Sequence, residues 1–207
     1  MAADVAKPNT GNYAWILTAA TPLSLITMPG IALFYRGLVR ARNVTSLLMQ
    51  CFSITCVVSV LWFLFFCGLA FGDGGGINLA IGGFGKPLIF GVEFDGLMGD
   101  IPDHLFFTVQ MMFAVITPAL IVRAFVDRMK LVAVLIFCPL WLMLVYAVVH
   151  QWLWESSFLA ELSVVDFARG LVLHVTCGTA VVLVAVVMGR QGKDPPEFGQ
   201  SVAVQSS

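Results

Sequence analysis

Charge is what this sequence has least of. Charged residues make up 11% of the 207, where a soluble globular chain carries roughly a quarter. Formal net charge is −1, so there is no basic excess to suggest nucleic acid as a partner. Cys51, Cys56, Cys67, Cys138 and Cys177 all fall inside hydrophobic stretches. That excludes a disulfide framework, and none has zinc-site spacing, so they read as small apolar packing residues. Residues Met1 to Thr10 lack the basic start and apolar core of a signal peptide. No catalytic residue, metal or cofactor is expected.

What is abundant is apolar surface. Hydrophobic residues reach 59% and the mean hydropathy is +0.95. The expectation is an all-α integral membrane protein whose outer surface is solvated by lipid, because spanning helices satisfy their own backbone groups.

Five spans are expected. The first runs from about Tyr13 to Tyr35 and is interrupted by Pro22 and Pro29-Gly30; the second runs from about Asn43 to Gly72. Asp73 to Asp103 is too polar and glycine-rich to span, and reads as a surface loop with room for a short helix. The third span runs from about His104 to Val122, the fourth from about Leu131 to Leu153, and the fifth from about Phe167 to Met188. Residues 1–12 precede this region, which extends over 13–193, and 194–207 form a polar tail.

Charge sets the expected orientation. Eight of the eleven Lys and Arg residues (Arg36, Arg40, Arg42, Arg123, Arg128, Lys130, Arg190 and Lys193) follow spans one, three and five. The opposite side holds Lys7 and Lys86, with Arg169 at the membrane edge. The positive-inside rule then places the N-terminus outside and the C-terminus in the cytoplasm of a cell membrane.

The last span holds the residue that stands out most. From Gly170 to Met188 there is no Asp, Glu, Lys or Arg, and His174 is its one readily ionisable side chain near neutral pH. Eight residues at helical rise put His174 roughly 12 Å inward from Asp166, near mid-depth of a slab about 30 Å thick. Positions 166, 170, 174 and 178 share one helical stripe and read Asp, Gly, His, Gly. An ionisable residue in such a groove marks a polar pathway; a histidine packed on a neighbouring helix is an equally weighted alternative. Span three presents Phe106, Val109, Gln110, Phe113 and Thr117 on one face, and span four ends in His150-Gln151-Trp152-Leu153-Trp154. Aromatics there are ordinarily membrane-boundary belt residues. His150 and His174 as haem ligands form a minor alternative, without independent support in their spacing.

The ordered motifs carry more. Asn9-Thr-Gly-Asn-Tyr-Ala-Trp15, Pro29-Gly-Ile-Ala-Leu-Phe-Tyr35, Gly37-Leu-Val-Arg-Ala-Arg-Asn43, Leu69-Ala-Phe-Gly72, Gln110-Met-Met-Phe-Ala-Val-Ile-Thr-Pro-Ala-Leu-Ile121 and Asp166-Phe-Ala with His174 occur in sequence. Over roughly Asn9 to Lys193 the chain resembles the N-terminal half of the ammonium transporter family (the Amt, Mep and Rhesus group). The resemblance implies transport of ammonium or ammonia, with Trp154 and Phe113 at the outer site and its aromatic gate. It makes His174 the first of two pore histidines and Asp166 the aspartate near the mouth.

Departures accompany it. Arg169 stands where the family pattern has glycine, either paired with Asp166 toward the headgroups or repelling ammonium from the mouth. Glu155-Ser156-Ser157 replaces the glycines usual after the outer tryptophan, and Val109 replaces an aromatic found in some members. The family has about eleven spans in two inverted halves, and this sequence corresponds to one. The expectations are therefore a partial or split transporter, completed by a second-half chain or found in a homo-oligomer (the family trimer), or else a non-conducting regulatory or assembly subunit.

Overall fold

The computed structural model describes residues 9–36, 44–71, 96–122, 124–125, 128–153, 158–167 and 169–189. Trp154, the residues 155–157 after it, the connection 37–43, residues 73–95 of the first long loop and the tail 194–207 lie outside the described residues.

Helix α1 comprises Thr10–Leu25, a π-helical turn Ile26–Gly30 and Ile31–Arg36. Asn9 starts it: the side-chain oxygen accepts the N–H groups of Gly11 at 3.0 Å and Asn12 at 3.2 Å, two of the donors a helix start leaves unpaired. The widened turn takes in Pro29, which cannot continue a regular hydrogen-bond ladder. Gly30 suits this turn, because a Cβ would stand a tight 3.0 Å from the Leu25 carbonyl oxygen.

Four further helices follow: α2 Val44–Phe71, α3 Asp103–Val122, α4 Leu131–Trp152 and α5 Gly170–Met188. Among the described residues these four are long and apolar enough to cross a membrane. A one-turn helix, Phe158–Glu161, lies between α4 and α5. The described end of the long loop is a two-strand hairpin, Leu97–Met98 against Ile101–Pro102. Gly99 makes the tight turn, with φ +60°. The hairpin staples α1 to the start of α3: the Asn9 N–H donates to the Asp100 carbonyl at 3.1 Å, and Asn12 Nδ2 to Asp100 Oδ2 at 3.2 Å.

Helix α3 is the centre of the bundle and touches α1, α2, α4 and α5. Of its most apolar stretch 56% is buried, against 28% for α5, which therefore lies at the edge. Lipid tails are as apolar as leucine, so close packing rather than water exclusion joins these helices. Ala70, Ala114 and Ala119 are fully buried and allow the backbones to approach.

Two long helices correct their register with π turns. In α2 the buried residues Val58, Trp62, Phe66 and Ala70 are four apart, a step that drifts about 40° each time in a regular helix. The π-helical turn Trp62–Phe66 absorbs the drift and keeps the stripe facing inward. Helix α4 repeats the device: Cys138, Leu142, Tyr146 and His150 are four apart and all buried, through the π-helical turn Leu142–Tyr146.

Candidate functional site

The fourth residue of that α4 stripe delivers an imidazole to the interior. His150 is fully buried. Its ring meets Phe71 of α2 edge-on at 4.4 Å between centroids and lies tilted on Tyr146 at 5.8 Å. Phe71 in turn stands edge-on to Phe106 of α3 at 5.1 Å and to Trp62 at 6.2 Å. Three helices thus supply an aromatic enclosure with one basic ring inside it.

The cation that reaches this ring is Arg169. Its Nη1 lies 2.9 Å from His150 Nε2. The backbone at Arg169 is left-handed, φ 58° and ψ 28°, a conformation that costs a residue other than glycine about 1–3 kcal/mol. A hydrogen bond from a charged donor contributes about 1.5–3 kcal/mol, enough to offset that strain. Asp166 and Arg169 were expected one helical turn apart, but α5 begins only at Gly170, so they share no helix. Asp166 still attracts Arg169 electrostatically. Asp166 also caps α5: its Oδ2 accepts the N–H groups of Leu171 and Val172, both at 3.0 Å. The Arg169 carbonyl accepts the Leu173 N–H at 2.9 Å.

His174 sits in the π-helical first turn of α5, Gly170–Val175. Since α5 starts four residues after Asp166, His174 lies about one turn inside it, and the uninterrupted helix expected from Asp166 is broken at Arg169. Its side chain is exposed, and among the described residues no hydrogen bond holds the imidazole. Among the described residues no neighbouring helix buries the ring. The flank beside it is open too: a Cβ at Gly178 would meet nothing within 4 Å.

Phe113 is half-buried on α3, packed against the core, and its carbonyl accepts the Thr117 hydroxyl at 2.8 Å. Gln110 and Thr117 of the same helix are buried. The structure thus groups Asp166, Arg169 and the first turn of α5, and links Arg169 to α4. Trp154, assigned to the outer site, lies outside the described residues. Sequence reasoning gave the enclosure around His150 no role; the four-residue rhythm from Cys138 to His150 was the signal that could have found it.

Residues 14–206 match the profile of the Ammonium Transporter Family. The chain is 42% identical over 199 residues to a putative ammonium transporter of Methanothermobacter thermautotrophicus, covering 94% of this chain and 48% of that protein. It is 42% identical over 183 residues to the ammonium transporter of Bacillus subtilis, covering 87% of this chain and 44% of that one. The crystal structure of Saccharomyces cerevisiae Mep2 superposes with a TM-score of 0.77 at 28% identity, over 89% of this chain and 42% of Mep2. The chain spans about half the length of the curated relatives it matches.

Proposed function

The chain belongs to the ammonium transporter family, and from that premise we propose that it supplies one side of a membrane pathway for ammonium or ammonia. The observation that carries this reading is His174: an exposed imidazole in an otherwise uncharged helix, flanked by the open space at Gly178. In a complete pathway that open flank faces the other side of the pore.

The chemistry required is the passage of a small cation or its neutral amine. Holding ammonium over an indole face is worth about 0.5–2 kcal/mol, which suits Trp154 at the outer site with Phe113 as its gate. That gain does not offset carrying a full charge to mid-bilayer, about 3 to more than 10 kcal/mol. The pathway therefore passes the amine or relays its proton, and a neutral imidazole at His174 donates from one nitrogen and accepts at the other. Asp166 and Arg169 shape the outer mouth. The N-terminus is outside and the C-terminus in the cytoplasm of the cell membrane, and the second side comes from a further set of spans, with like copies as the other expected partners.

A second reading, a non-conducting regulatory or assembly subunit, is favoured by one observation: Arg169 sets a guanidinium beside His150 next to the first turn of α5, a charge that would repel ammonium. Ammonium-driven internal pH change in vesicles separates the two. The test reconstitutes this chain alone and with the remaining half of the Bacillus subtilis relative, each with and without His174→Ala. Flux that His174→Ala abolishes supports the pathway. Flux indifferent to the substitution removes His174 from it, and an absence of flux in both arrangements supports the subunit.

A further inference from the structure

We propose that Arg169 is a positioning residue: with His150 it forms a latch across the α4–α5 junction that sets how the first turn of α5 presents His174. This deepens the role proposed for His174 and rests on that reading for its consequence, while the latch itself rests on this chain's geometry. Three observations carry it. Arg169 holds a left-handed backbone immediately before the turn that bears His174, five residues on. Its guanidinium leaves the α5 segment to meet a fully buried ring on α4 at 2.9 Å. That ring cannot shift freely, because Phe71 and Tyr146 enclose it. Asp166 holds the same turn through the N–H groups of Leu171 and Val172, so α5 is fixed at its start by a cap from its own approach and a tie to its neighbour.

The contact also dictates a tautomer. A guanidinium has only donors, so Nε2 of His150 must be the acceptor, with a lone pair directed at Arg169. His150 is then neutral and carries its proton on Nδ1. The backbone of Ala70 also interacts with this residue.

The test labels the histidines of the full chain with nitrogen-15, in lipid, and distinguishes His104, His150 and His174 by single substitution. The expected result is an unprotonated Nε2 and protonated Nδ1 at His150. Arg169→Gly suits a left-handed backbone and removes the guanidinium; it should return His150 to the Nε2-protonated form, and Arg169→Lys should restore the Nδ1 form in part. The second readout is carbamoylation of His174 by diethylpyrocarbonate, followed by mass spectrometry. Arg169→Gly and His150→Phe should each change its rate by about threefold or more, and together by no more than either alone, as for residues in direct contact. A protonated Nε2 in the unsubstituted chain overturns the latch whether or not any variant folds. An unchanged tautomer in Arg169→Gly, an unchanged His174 rate or additive effects overturn it too. None of these readouts uses ammonium flux, so a chain that carries none still answers.

Discussion

Arg128 Nη1 donates to the carbonyl oxygen of Gly189 at 2.7 Å, joining the α3–α4 connection to the far end of α5. The bond closes a helix end that needs it: Gly189 leaves α5 with φ 69° and ψ −167°, a combination open essentially to glycine alone. Gly189→Ala should therefore destabilise by about 1–3 kcal/mol, although a Cβ there would meet nothing within 4 Å. Arg128→Ala should cost less, about 0.5–1.5 kcal/mol. Unfolding in mixed micelles with increasing dodecyl sulfate gives both values. An unchanged midpoint for Gly189→Ala would show that backbone strain is not what selects glycine here.

Asp166 accepts two N–H groups at the start of α5. Asp166→Ala should leave both exposed and cost about 1 kcal/mol, whereas Asp166→Asn, a good capping residue, should lose much less. Amide exchange at Leu171 and Val172 is the direct measurement, and faster exchange in the alanine variant alone is the expected pattern. Equal exchange in all three forms would remove the capping role.

Trp62 is buried where α2 meets α3, with its ring 6.2 Å from both Phe71 and Phe107. Its Nε1 has no hydrogen-bond partner among the described residues, so the ring and not the N–H carries its contribution. Trp62→Phe should cost less than about 1.5 kcal/mol, and Trp62→Ala about 3–5 kcal/mol. Similar losses for the two would mean that the indole nitrogen matters after all.

Reporter fusions test orientation. With eight of the eleven Lys and Arg residues placed after spans one, three and five, fusions after Val122 and after Gly192 should both be cytoplasmic. An external signal at either position reverses or breaks the assignment.

The sequence by itself determined the class of this protein and the stretches that become its long helices. Hydropathy is a property summed over neighbours in the chain, so the uncharged stretch from Gly170 to Met188 or from Leu131 to Leu153 announces a helix wherever it packs. The ordered motifs pointed to the family for the same reason, since they are local strings at fixed spacing. Within α4, the four-residue steps from Cys138 to His150 already encoded an inward face, although a regular helical period obscures it until the π-helical turn is known.

Tertiary structure decided what the side chains just before α5 do. Asp166 and Arg169 are three residues apart and look like a helical ion pair, yet one caps α5 and the other reaches His150, nineteen residues away. The difference lies in the backbone at a single residue. A left-handed turn at Arg169 is unfavourable locally and persists only where contacts from another element offset it, and those contacts come from α4. No window of sequence contains both partners, so the pairing becomes visible only when the two helices are brought together.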